Sequence, residues 1–205
     1  AYANTVNGFV ETWYDQSGNG NDATQLTAAS QPKIVSGGNL VAGGLDFDGV
    51  NDYLDATGVT TANGTKDTTI LVGKVNSTSA TLGFLDNVGP VSNAHFIGNG
   101  SSGSFAAFFG SSIDFLYASS NTDENLHFIY KSDVSNQSTG SLNGVVDALN
   151  SGTGGYTGGV RIGRGRGASF VHLDGTIKEI IIYPSDQTAN RPVIETNINS
   201  HYDIF

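Results

Sequence analysis

Residues 45–54 read Leu45-Asp46-Phe47-Asp48-Gly49-Val50-Asn51-Asp52-Tyr53-Leu54. Leu45 and Phe47 alternate with Asp46 and Asp48, the period-two pattern of a strand with one buried face. The two aspartates flank Phe47 and are expected to face solvent. Gly49, Asn51 and Asp52 are turn formers, and a second strand begins at Tyr53. Strand, short polar turn, strand is the unit from which antiparallel sheets are built.

The unit repeats in both directions. Strands are expected at Lys33–Val35, Gly44–Phe47, Tyr53–Asp55, Thr68–Val75, Thr81–Asp86, His95–Gly98 and Ser104–Gly110. Others are expected at Ile113–Tyr117, Leu126–Lys131, Thr139–Leu142, Val160–Gly163 and Thr176–Tyr183. Turn signals about every 8–12 residues are the spacing of a sandwich or barrel. Gly8–Tyr14 reads as one strand, with Phe9, Glu11 and Trp13 on one side and Val10, Thr12 and Tyr14 on the other. Asn143-Gly144 predicts a two-residue hairpin. Asp174-Gly175 reads as a turn into Ile177, Ile180, Ile181 and Ile182, an apolar run suited to a strand covered on both faces. Helix is expected only over Asn190–Tyr202, where Ile194, Ile198 and Tyr202 form one stripe. Asn190 would cap it, with Pro192 in the first turn, and it would lie against the sandwich. With no internal repeat and no linker, residues 1–205 read as a single domain.

Composition agrees. Charged residues are 14% and apolar residues 38%, and 11 Phe with 8 Tyr can fill an interior. The 28 glycines follow no period. A formal charge of −10 repels phosphates, so nucleic acid and anionic membranes are not expected partners. No apolar run approaches 18 residues, so membrane insertion is not expected. Without cysteine there is no disulfide, thiolate metal site or cysteine nucleophile. No charged-then-apolar leader opens the chain, and the missing methionine suggests a processed chain or part of a larger protein.

Several motifs carry a resemblance. They are Trp13-Tyr14-Asp15-Gln16-Ser17-Gly18-Asn19-Gly20-Asn21-Asp22-Ala23, the 45–54 stretch, Gly140–Val145, Val160-Arg161-Ile162-Gly163, and Leu173–Tyr183. In this order they resemble laminin-G-like, concanavalin A-like lectin/glucanase domains. The resemblance implies an all-β, two-sheet antiparallel jelly-roll sandwich with a short C-terminal helix. The opening motif is also similar to catalytic domains of fungal-type arabinofuranosidases, and to phage and marine bacterial surface proteins. Ser185–Arg191 and the run to Ile198-Asn199 favour the second group. The arabinofuranosidase relatives are expected to carry a cysteine-rich pocket, which this chain lacks.

Asp15–Asp22 is the densest group of hard oxygen ligands, of the kind calcium takes, although its spacing is not that of an EF-hand. The alternative is a structural turn in which Asp15, Ser17 and Asn21 bond local amides. The resemblance adds Asp174 to Asp15 and Asp22 as a third ligand of a structural calcium. For glycoside hydrolysis two carboxylates must face each other across a cleft. The candidates Asp86, Asp114, Asp133, Glu179 and Glu195 show no pairing by spacing, and the E-x-D-x-x-E pattern of the sandwich-fold glucanases is missing. His95, His127, His172 and His201 lack metal-ligand spacing. Gly163-Arg164-Gly165-Arg166-Gly167 is a basic loop in an acidic chain. Arg164 and Arg166 suit an acidic sugar or a neighbouring subunit, and Phe109 and Tyr117 are candidates for stacking on a sugar ring. The expected function is a non-catalytic recognition or structural module of an extracellular or virion surface protein, binding glycan or neighbouring subunits. A glycoside hydrolase or polysaccharide lyase is the alternative.

Overall fold

The computed structural model of the chain describes residues 6–77, 82–88, 94–99, 105–110, 113–116, 122–149, 152–165 and 172–205. The first strands along them are β1 (Gly8–Phe9), β2 (Thr12–Trp13), β3 (Ala23–Thr24), β4 (Lys33–Ser36), β5 (Asn39–Leu40) and β6 (Leu45–Asp48). Next come β7 (Leu54–Ala56), β8 (Asp67–Val75), β9 (Leu82–Asn87), β10 (Ala94–Asn99), β11 (Phe105–Gly110) and β12 (Ile113–Leu116). The last are β13 (Asn125–Lys131), β14 (Ser138–Leu142), β15 (Val145–Leu149), β16 (Val160–Ile162) and β17 (Asp174–Tyr183), followed by helix α1 (Arg191–Tyr202).

Nine strands form one sheet, ordered β1-β4-β6-β17-β8-β13-β14-β15 with β5 beside β4. Eight form the other, ordered β12-β11-β10-β9-β16-β7-β3-β2. Every pairing between the described strands is antiparallel. The all-β, two-sheet sandwich with one short C-terminal helix is therefore the fold. No helix among the described residues is long and apolar enough to cross a membrane.

Alternation along β8 explains the layers. Leu71 and Val75 join Phe47, Leu54, Phe84 and Ile162 in the core between the sheets. Ile70 and Val72 face the opposite way and pack with Leu126, Phe128 and Ile198 under α1. The stripe Ile194, Ile198 and Tyr202 supplies that cover, as the sequence predicts. At roughly 1.5–3 kcal/mol for each fully buried large apolar side chain, these two clusters supply most of the favourable energy of folding.

Two bulges re-aim side chains. In β17 one extra residue lies between Ile177 and Glu179, so Ile177, Ile180 and Ile182 all reach the main core while Ile181 faces α1. On the other sheet, Ile97 pairs with Leu85 but Gly98 with Gly83, and the skipped Phe84 turns inward beside Leu85.

Three local expectations fail. Gly8–Tyr14 is not one strand: β1 joins the nine-stranded sheet and β2 the eight-stranded one. The chain crosses at Val10 and Glu11, so Val10 and Trp13 pack inward while Phe9 is 52% exposed. Asp174-Gly175 is the start of β17 rather than a turn, and a Cβ on Gly175 would lie 2.2 Å from the Lys74 carbonyl. Asn190 precedes α1 but makes no side-chain cap; its Nδ2 donates to Gln187 Oε1 at 2.9 Å. The Asn143-Gly144 hairpin does form, with positive φ at both residues and Leu142 opposite Val145.

Candidate functional site

In the eight-stranded sheet Thr24 lies opposite Asp55, Asp55 opposite Arg161, and Arg161 opposite Asp86. The adjacent residues Leu54, Ile162 and Leu85 fill the core, so this polar row points away from it. Arg161 donates Nε to Asp55 Oδ1 at 2.8 Å and Nη2 to Oδ2 at 2.7 Å. That fork raises the Arg161 pKa and neutralises its charge. Its guanidinium lies 4.8 Å from the centre of the Tyr53 ring.

The chain then turns sharply at Gly163, whose φ is +83°. A Cβ there would lie 2.3 Å from the Phe47 ring, so both backbone and core demand glycine. The next residues cross over β9, where a Cβ on Gly83 would meet Gly165 N at 2.5 Å. This path places the Arg164 guanidinium 5.5 Å from the same Tyr53 ring. Two arginines thus share one ring, and they differ in charge balance: Arg161 is matched by Asp55, while Arg164 makes no ion pair among the described residues.

His172 bridges to Arg164 and is half-buried. Burial first, then the Arg164 charge, holds its pKa below the usual histidine value; Asp48 pulls the other way and Arg161 adds to the lowering. Asp48 itself accepts the amides of Val50 and Asn51 at 2.8 and 3.2 Å, closing the turn that carries Tyr53. Asp52 is 6% exposed and accepts the Asp48 amide at 3.1 Å; burial pushes its pKa up to about 6. An aromatic ring, a guanidinium with no ion pair among the described residues and a half-buried imidazole thus lie together, side-chain chemistry of the kind that suits an anion on an apolar frame.

The other expected site residues fall elsewhere. Arg166 and Tyr117 lie outside the described residues. Phe109 is 0% exposed and belongs to the main core, because β11 turns Phe105, Ala107 and Phe109 inward; it cannot stack on a sugar. Tyr53, at the start of the strand expected at Tyr53–Asp55, is half-buried beneath the arginines.

The Asp15–Asp22 segment is a self-satisfied turn. Asp15 accepts the amide and hydroxyl of Ser17, both at 2.8 Å, and the Asn21 amide at 3.0 Å. Those amides hold its pKa below the usual carboxylate value. Asp22 Oδ1 accepts the Asp15 amide at 2.8 Å. Asp174 lies in β17 opposite Asp48 and accepts the Asn76 side-chain amide at 2.9 Å. Among the described residues no three His, Asp or Glu side chains are grouped to hold a metal ion. Asp15 and Asp22 thus share one hydrogen-bonded turn, while Asp174 stands in β17 of the nine-stranded sheet beside Asp48.

The hydrolytic candidates are likewise dispersed. Glu195 accepts the Ser141 hydroxyl and lies 3.6 Å from Arg191, tying α1 to β14. Asp133 is 3.9 Å from Lys66 on the surface. Asp86 is 2% exposed, with Oδ1 accepting the Asn87 amide at 2.8 Å. Glu179 lines a cleft beside β17. The Asp114 side chain lies outside what is described.

No protein-family model matches the chain, and no curated protein does. Solved structures do. Trypanosoma rangeli sialidase in complex with sialic acid superposes with a TM-score of 0.63 and 16% identity, over 96% of this chain and 32% of that chain. Another Trypanosoma rangeli sialidase structure gives 0.61 and 16%, over 92% and 30%. At such identity the likeness is one of fold, and this chain spans about a third of those sialidases. The CBM40 of Ruminococcus gnavus IT-sialidase, bound to α2,3 sialyllactose, gives 0.49 and 14%, over 65% and 83%. That value is too low to establish a shared fold.

Proposed function

We propose that this chain is a non-catalytic recognition module, of the laminin-G-like jelly-roll type, that binds a glycan carrying a carboxylate or sulfate. We place it on an extracellular or virion surface protein. The observation that supports this most is Arg164, a guanidinium with no ion pair among the described residues, held over the Tyr53 ring in a chain of net charge −10. A protein that repels anions overall needs a local cation to retain one. The Tyr53 ring offers an apolar face to a pyranose, and Arg164 offers a fork to the acid.

His172 adds a pH signature. A bound anion offsets the Arg164 repulsion that disfavours the imidazolium, so binding takes up a proton and strengthens as pH falls below neutrality.

The test is calorimetric titration with sialyllactose, a glucuronate-containing disaccharide and lactose, alongside Arg164→Gln, with saccharide release followed in parallel. The expected result is binding of a carboxylated sugar, none of lactose, no release, and at least about a tenfold loss in the variant. Equal affinity for lactose, or an unaffected variant, would overturn the reading. Released saccharide would instead favour a hydrolase.

A second reading, assembly with neighbouring subunits, draws on β15, the last strand of its sheet among the described residues, where Val146 is 47% exposed. Concentration-dependent association abolished by Val146→Lys would favour it.

A further inference from the structure

Among the described residues, β17 of the nine-stranded sheet lacks a partner along part of one side. From Glu179 to Tyr183, β17 pairs with β8 on one side. On the other side β6 reaches only Asp174–Ile177. The cause is local: the chain leaves the sheet at Gly44, whose φ is +90° and whose missing Cβ makes room for the Ile177 carbonyl. Beyond that point no described strand runs along β17 on this side. Alternate residues of an antiparallel strand aim their N–H and C=O groups to opposite sides, so part of the backbone from Lys178 to Tyr183 faces away from β8.

That edge opens into a cleft of about 510 Å³, within the size range of ligand pockets. Lys178–Ile182 line it together with Trp13, Tyr14 and Asp15. Ile180 and Ile182 pack against the core yet stay partly exposed, and Tyr14 is 66% exposed. Native sheet edges are normally blunted by charge, proline or a covering element. Here isoleucines of the edge share a cleft with Trp13 and Tyr14.

We infer that the cleft accepts an extended polypeptide segment, which adds to the nine-stranded sheet as a strand beside β17. Backbone hydrogen bonds to the free edge would supply affinity, and alternate side chains would enter between Ile180, Ile182 and Trp13. Charge defines the segment further. Lys178 is already engaged by Glu124 at 2.6 Å, leaving Asp15 and Glu179 as the acidic groups of the lining. The occupant is therefore a segment that alternates apolar with basic residues. This inference is independent of the Tyr53 site, which lies on the other sheet.

The probe is a short synthetic peptide alternating valine and lysine, compared with the same peptide N-methylated at every second residue. N-methylation blocks one hydrogen-bonding edge and keeps the side chains. Binding to the full chain is read by fluorescence anisotropy, and deuterium uptake at residues 179–183 by mass spectrometry. Saturable binding, about tenfold or more weaker for the N-methylated peptide, with slowed uptake at 179–183, is the expected result. Equal binding of both peptides, binding of neither, or uptake at 179–183 already fully suppressed in the free monomer would overturn it. So would suppression that appears only with dimer formation in sedimentation, which would assign the edge to a second copy.

Discussion

Replacing His127 by leucine should flatten the acid side of the stability profile. His127 lies on β13 at 3% exposure, stacked on Phe105 with ring centres 4.1 Å apart and 5.8 Å from Phe84. Its Nδ1 has no hydrogen-bond partner among the described residues. Burial alone pushes its pKa down from 6.5 to about 3. In the unfolded chain the ring protonates near 6.5, so between these values the unfolded state binds more protons. Its contribution to stability is complete above pH 6.5, falls as pH drops, and stops changing near pH 3. At pH 4.5, about two units below 6.5 at roughly 1.36 kcal/mol each, the loss is about 2.7 kcal/mol. Leucine removes this dependence. It also removes a buried unpaired nitrogen, at about 1–3 kcal/mol, against about 0.5–1.5 kcal/mol of lost stacking, so stability at pH 7 should change little. Asp52 acts in the opposite sense: with its pKa raised to about 6, it favours the folded state as pH falls from 6 toward 3.8. Because Asp52 is present in both proteins, the difference between them isolates His127. Urea unfolding followed by Trp13 fluorescence at pH 7, 5.5 and 4.5 measures it. Parallel profiles for the two proteins would refute the reasoning.

Two other perturbations test the interior. Lys131 and Asp67 form an ion pair at 3.0 Å with side chains 0% and 1% exposed, so Lys131→Met should cost about 3–5 kcal/mol in urea unfolding. Adding Asp67→Leu should restore most of that loss, and a double variant as unstable as the single would contradict the assignment. Gly163→Ala should lower stability by roughly 2–4 kcal/mol, from its positive φ and the Phe47 ring, seen as a fall in Tm. An unchanged Tm would show that the turn feeding Arg164 is not constrained.

The layers were legible because their signal is periodic. Leu45 and Phe47, the β8 run, and the stripe of Ile194, Ile198 and Tyr202 each put apolar residues on one face. The sheet switch between Phe9 and Thr12 was not, since two short strands in one alternating stretch look like a single strand. Asp174-Gly175 misled because glycine serves close packing against Lys74 as readily as a turn. At the candidate site, Arg164 was visible as a cation in an acidic chain. Its partners Tyr53 and His172 come from distant segments, and only the register of β7 against β16 and the bridge from Arg164 to His172 bring them together. Phe109 failed for the complementary reason: aromatic density in the sequence does not reveal which face of β11 is buried. Lys131 and His127 gave no signal at all, because single polar residues within apolar strands do not reveal that they point inward.

The recognition surface itself can be located directly by titrating isotopically labelled protein with sialyllactose and with lactose, following backbone amide shifts. Saturable shifts confined to Tyr53, Arg161, Arg164 and His172, produced by the charged sugar alone, are the result expected. Shifts centred on another face, or the same response to lactose, would contradict anion recognition at Arg164.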